Sequence, residues 1–200
     1  MQALYLFFIA FTIIFLAELG DKTQLLVLSF SSKSKVRNIL IGIAVGSLFS
    51  HGVAIVFGSR LGTLQNESVL YILKLITYIS FLLIGLIGFI PKKSIKSETE
   101  NNFLKKLSNS SLNYVFIIAL CIMIGEIGDK TFLASLGLGI EYPHYKLSLI
   151  AGSILGMIIS NSVAILFGKL LGKYFSEHFV VFLSNIIFIT FGIIGIMMLV

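Results

Sequence analysis

Charge is scarce in this chain: Asp, Glu, Lys and Arg make up 12% of its 200 residues, about half the usual share of a soluble domain. Water is therefore not its main solvent. Cysteine occurs once, at Cys121, which excludes an internal disulfide and leaves no thiolate cluster for a soft metal. Packing is its expected role. A hydrophilic segment long enough to form a soluble catalytic domain is also missing; the longest polar stretch runs from Pro91 to Asn113. The amino terminus has neither a positive lead-in nor a small-residue cleavage signal. The first apolar run is thus expected to stay in the mature chain and not to leave as a signal peptide.

Apolar sequence is what the chain has in abundance, with 57% hydrophobic residues and a mean hydropathy of +1.03. A helix needs about 20 mostly apolar residues to cross a bilayer, and such stretches cover 4–30, 39–58, 70–90, 112–138, 147–168 and 179–200. The expected fold is an all-α integral membrane protein of six transmembrane helices. The net charge of +6 and a pI near 9.4 would suggest nucleic acid for a soluble protein. Here the basic residues sit mainly in loops, so they read as topology, with lipid and not nucleic acid as the partner. With the amino terminus outside, ten basic residues lie inside (Lys33, Lys35, Arg37, Lys92, Lys93, Lys96, Lys105, Lys106, Lys169 and Lys173), against Arg60, Lys74 and Lys146 outside. Both termini are accordingly expected outside.

The sequence repeats. Glu18-Leu19-Gly20-Asp21-Lys22-Thr23 matches Glu126-Ile127-Gly128-Asp129-Lys130-Thr131 at an offset of 108. Gly42, Gly46, Ser50, Gly58 and Gly62 match Gly152, Gly156, Ser160, Gly168 and Gly172 at an offset of 110, while Gly85 and Gly88 match Gly192 and Gly195. The chain divides into a first three-helix repeat (1–90), a central basic loop on the cytoplasmic side (91–113) and a second three-helix repeat (114–200). Three spans per half put the second half into the membrane in the opposite sense. Inverted repeats of this kind are common in secondary transporters, with substrate held near the midplane. The glycines at four-residue spacing are read first as close helix packing.

Each motif places two carboxylates and an ammonium in an apolar span, where each charge facing lipid costs roughly 2.5 to 3.5 kcal/mol. They must face one another, a polar cavity or an ion. If each span is a continuous helix, Glu18 and Asp21 share a face, as do Glu126 and Asp129, with Lys22 and Lys130 one turn beyond each glutamate. Gly20 and Gly128 would permit a local break. Glu18, Asp21, Glu126 and Asp129 with Lys22 and Lys130 sum to minus two, a balance that suits one divalent cation. Carboxylate oxygens favour manganese, calcium or magnesium, and these three stay open on the residues alone. Carboxylates crowded together repel one another when empty, so protons compete with metal. That competition suggests proton-coupled exchange. Thr23, Gln24 and Thr131 are expected in support, with Phe132 replacing Gln24 in the second half. Ser47, Ser50 and His51 form a polar stripe on the second span, and Ser153, Ser160 and Asn161 one on the fifth. Ser47, Ser50, His51, Ser160 and Asn161 are candidates for lining the pathway.

An enzyme is not expected. An intramembrane aspartyl protease would need a G-x-G-D sequence and a Tyr-Asp partner, and neither is present. Two readings compete with a metal transporter: an exporter of cationic amino acids and a non-transporting membrane subunit. The paired motifs resemble the membrane family defined by two copies of E-x-G-D-K-[ST], which includes Golgi manganese and calcium transporters and bacterial manganese exporters. The resemblance covers nearly the whole chain. It implies a six-span cation/proton antiporter that lowers cytosolic manganese or calcium, with the four motif acids as ligands, the metal as substrate and no cofactor. The short loops resemble a prokaryotic member, which implies the bacterial inner membrane and favours manganese export.

Overall fold

The computed structural model describes residues 1–19, 24, 27, 30, 34–89, 113–174 and 177–199. Seven α-helices and no strand occur among these residues: α1 (Gln2–Glu18), α2 (Val36–Gly62), α3 (Glu67–Ile87), α4 (Tyr114–Glu126), α5 (Lys130–Glu141), α6 (Lys146–Tyr174) and α7 (Glu177–Leu199), with a 3₁₀ turn at Pro143–Tyr145. Among the described residues, two helix starts are capped by side chains. Asn66 accepts from the Val69 N–H at 3.1 Å ahead of α3, and Asn113 from the Val115 N–H at 3.1 Å ahead of α4, each satisfying a donor that the first turn leaves without an intrahelical partner.

Among the described residues, four stretches are long and apolar enough to cross a bilayer: Val36–Gly62, Glu67–Ile87, Pro143–Leu166 and Phe182–Leu199. The two apolar runs that carry the acidic motifs do not form single long helices. Gln2–Glu18 and Tyr114–Glu126 both stop at their motif glutamate. In the second run, α4 and α5 together nonetheless keep pace with α2. Their 13 and 12 residues extend about 20 and 18 Å, against about 40 Å for the 27 residues of α2 at 1.5 Å per residue. Gly42 lies against Val115 and Ile118, Gly46 against Ala119 and Ile122, and Gly58 and Gly62 against Leu136 and Ile140. The interrupted α4–α5 run therefore lies parallel to α2 along its whole length.

Contacts of glycines matched by the sequence repeat resemble one another. A methyl group on Gly46 would sit 2.7 Å from the Ala119 carbonyl oxygen, and one on Gly156 would sit 2.7 Å from that of Phe11. Gly152 faces Phe7 and Ala10 as Gly42 faces Val115 and Ile118. The pairs α1 with α6 and α4 with α2 are thus packed alike and both run parallel. The α3 and α7 helices pack antiparallel, with Gly85 against Asn185 and Ile189 and Gly192 against Tyr78 and Leu82. Small residues allow these backbone approaches, which membrane helices use where lipid offers no hydrophobic drive for association. Inside, Leu6, Ile14, Ile43, Ile118, Ile122 and Met157 form part of one buried apolar cluster. Outside, Phe8, Phe49, Phe57 and Met197 are exposed, as suits a surface whose solvent is hydrocarbon.

Candidate cation site

The acidic motifs end their helices in the same way. Leu19, directly after Glu18, has φ −61° and ψ 121°, and Ile127, directly after Glu126, has φ −62° and ψ 118°. These extended dihedrals stop the i to i−4 ladder. In the second motif Gly128 then takes φ +82°, a left-handed conformation that glycine adopts without the Cβ clash. Asp129 becomes the N-cap residue of α5, with its carbonyl accepting from Leu133 N–H at 3.0 Å. This corrects the expectation from a continuous helix. Glu126 and Asp129 do not share a helical face; they stand on either side of a break, one at a helix C-terminus and the other at a helix N-terminus. A helix C-terminus leaves carbonyl oxygens without intrahelical partners and carries partial negative charge. Glu18 and Glu126 thus each add a carboxylate to an end that already favours a cation.

Both glutamates are fully buried. Thr131 reaches back across the break and donates its hydroxyl to Glu126 Oε2 at 2.7 Å, which fixes the orientation of that carboxylate. The parallel packing of α2 with α4, extended one turn beyond Gly46 and Ile122, brings Ser50 level with Glu126. One turn beyond Gly156 and Ile14, Ser160 comes level with Glu18. Gln24 donates to Ser160 through Nε2, at 2.9 Å to the hydroxyl and 3.3 Å to the carbonyl. On the other side His51 Nδ1 lies 2.9 Å from Ser135 Oγ. Each motif-bearing segment is therefore pinned to the polar stripe of a neighbouring helix, by the Gln24 amide to α6 and by the His51 imidazole of α2 to α5.

The stripe residues are buried, but several bond to their own helix. Ser47 donates to Ile43 O at 2.7 Å, Ser50 to Ser47 O at 3.5 Å, and Asn161 Nδ2 to Met157 O at 2.9 Å. Among the described residues, His51 Nε2, Asn161 Oδ1 and Ser153 Oγ are buried without a hydrogen-bond partner. Asp129 and Lys130 are half-buried. Asp21, Lys22 and Thr23 lie outside the described residues, and among those that are described no group of three or more His, Cys, Asp or Glu side chains is gathered closely enough to hold a metal ion.

The family model described as "Divalent cation/proton antiporter GDT1" matches residues 6–96 and 114–199. The chain belongs to the GDT1 family. A putative manganese exporter of Vibrio cholerae is 32% identical over 163 residues, covering 81% of this chain and 76% of that protein. The chloroplastic GDT1-like protein 1 of Oryza sativa subsp. japonica is 27% identical, and the chloroplastic PAM71 of Arabidopsis thaliana 23%, each over 203 residues and 92% of this chain. The chain spans 59% and 54% of the length of those two relatives. No solved structure matches it. Family membership makes this GDT1 chain a membrane transporter and not an enzyme, and it matches the likeness carried by the paired motifs.

Sequence reasoning missed Ser135 as a partner of His51. The signal was available in principle, since Ser135 follows Thr131 by one turn and so shares its helical face. It also missed Glu141, which Lys74 and Tyr78 of α3 hold at the far end of α5.

Proposed function

We propose that this GDT1-family chain exports Mn2+ from the cytoplasm in exchange for protons, with Glu18, Asp21, Glu126 and Asp129 as ligands at one shared site. The observation that carries this reading is the pair of fully buried glutamates, each closing a helix with matching backbone geometry. Lys22 and Lys130 leave the four acids a net charge of minus two, which one divalent cation neutralises. Two protons would do the same in the return step. Six crossings in two inverted halves, 1–90 and 114–200 joined by the loop 91–113, are supported by the reciprocal glycine contacts. The parallel α1/α6 and α2/α4 pairs and the antiparallel α3/α7 pair are what an in-plane two-fold relation between the halves requires. The distribution of basic residues supports both termini outside, in a bacterial inner membrane.

Manganese is preferred to calcium because the Vibrio cholerae relative carries that substrate in its name. Ca2+ is the second reading, since both ions accept oxygen ligands. Reconstituted protein under an imposed pH gradient is expected to move Mn2+ in the direction opposite to protons, with excess Ca2+ competing only weakly. Ca2+ moving faster than Mn2+ at equal concentration would transfer the substrate assignment to calcium. Indifference of both fluxes to the pH gradient would refute proton exchange.

Thr131 supplies a smaller test. Thr131→Val keeps the shape and removes the donor to Glu126, so the half-saturating Mn2+ concentration is expected to rise about tenfold, the lower range for loss of a group that orients a metal ligand. An unchanged value would place Glu126 outside the coordination of the ion.

A further inference from the structure

The α3/α7 pair is attached to the remaining helices mainly through α5 and α1, and touches α2 only thinly. Its contacts with α5 fall at two places. Thr77 and Phe81 pack on Gly137, and one turn further on Lys74 and Tyr78 hold Glu141. Lys74 Nζ lies 3.2 Å from Glu141 Oε2, with a hydrogen bond of 3.3 Å to Oε1, while Tyr78 donates its phenol to Oε2 at 2.5 Å. The lysine and glutamate side chains are 25% and 26% exposed, partly withdrawn from solvent.

By contrast, α5 is bound to α2 by backbone approaches at Gly58, Gly62 and Gly139, a boundary that interlocks and resists sliding. The boundary with α3 is thinner than that with α2, so relative motion costs less there. At its opposite end, α5 begins beside Gly128, whose left-handed backbone has open space around it. The same short helix carries Thr131, bonded to Glu126, and Ser135, bonded to His51. A displacement at Glu141 is thus carried by a rod about 18 Å long into the candidate site.

The repeat makes this contact one-sided. At the offsets of the two halves, Glu141 corresponds to Lys33, Lys74 to Val181 and Tyr78 to Asn185. The corresponding positions therefore lack the carboxylate, the ammonium and the phenol. Two halves of identical sequence would give two end states of equal energy, one open on each side, and only a difference between the halves can favour either.

We propose that Glu141, Lys74 and Tyr78 form a latch that positions α5 against α3, keeps the Glu141 end of the pathway closed, and biases the transporter toward the state open at the other end. With both termini outside, the latched end faces outward and the favoured state receives cytoplasmic metal. This inference rests on the six-crossing exchange proposed above.

The test uses the full chain in proteoliposomes, with Cys121→Ala to remove the native thiol and Thr77→Cys as a reporter at the α3/α5 boundary. A membrane-impermeant methanethiosulfonate is applied from the Glu141 side without metal. Glu141→Gln and Tyr78→Phe are each expected to speed labelling about tenfold, the population shift from losing one charge-assisted hydrogen bond. The exchanged pair Lys74→Glu with Glu141→Lys keeps the ion pair but removes the acceptor of the Tyr78 phenol, and is expected to recover part of the slow labelling. Unchanged labelling in folded Glu141→Gln and Tyr78→Phe protein overturns the latch. A contact serving stability alone would lower the melting temperature and leave the labelling rate where it was. Should Glu141→Gln fail to fold, Tyr78→Phe, which removes a single hydroxyl, decides the matter. Proton-coupled Mn2+ flux in the same vesicles separates the two claims: its absence from the Cys121→Ala parent sinks the transport reading, whereas unchanged labelling sinks the latch.

Discussion

Glu18→Gln and Glu126→Gln are each expected to cut proton-driven Mn2+ flux by at least about 100-fold. Glutamine keeps the volume of glutamate and most of its hydrogen-bonding capacity, so the substitution removes chiefly a charge. Removing one partner from a buried charged cluster costs about 3–5 kcal/mol, and each 1.4 kcal/mol is a factor of about ten in affinity, which gives about two to three and a half decades. Both residues are fully buried and both end their helices with the same extended step, so the two losses are expected to match within a few-fold. The Thr131 hydroxyl can still donate to the amide oxygen in Glu126→Gln, which should preserve the fold. Initial flux rates at matched protein content, with melting followed by circular dichroism, check the expectation. Substantial flux in either variant would remove that glutamate from the site.

The second large effect concerns stability. Gly46→Ala and Gly156→Ala are each expected to destabilise the protein by about 1–3 kcal/mol, the usual range for overpacking. Each new methyl would stand 2.7 Å from a backbone carbonyl oxygen of the facing helix, Ala119 or Phe11. A backbone atom cannot rotate away, so the helices themselves must separate. Gly52 is the control. A methyl there has Leu48 Cδ1 at 3.8 Å as its nearest contact, and Gly52→Ala is expected to be neutral or to stabilise by up to about 1 kcal/mol through helix propensity. Thermal melts of the three variants in one detergent give the comparison. Equal losses at Gly46 and Gly52 would contradict close packing of α2 on α4.

Helices and apolar faces were legible because each is written locally. Hydropathy located the four membrane-length helices among the described residues, and the glycine spacing of Gly42 with Gly46 and Gly152 with Gly156 pointed to the interfaces where those residues meet neighbouring backbone. The interruption at each glutamate was less legible. An average over 20 residues does not register two or three changed dihedrals, and Leu19 and Ile127 are apolar residues at home in a helix. Gly128 was the hint, yet a glycine in a membrane helix usually signals packing. Partnerships between distant segments were not legible at all. In the sequence Lys74 is only a topology marker, but it pairs with Glu141, 67 positions away, and His51 meets Ser135 across 84. The polar stripe residues fall on α2 and α6 as their spacing implies, while the bonds that Ser47 and Asn161 make to their own helices follow from rotamers that a sequence does not display.

The central claim, that two motifs make a single site at which Mn2+ and protons compete, is tested most directly by Mn2+ binding to the purified full chain. Calorimetry in buffers of differing ionisation enthalpy reports stoichiometry and proton release together. The predicted result is one Mn2+ per chain, bound with release of protons, and loss of that binding in Glu18→Gln and in Glu126→Gln alike. Two Mn2+ per chain, with each variant retaining one, or binding that releases no proton, would contradict it.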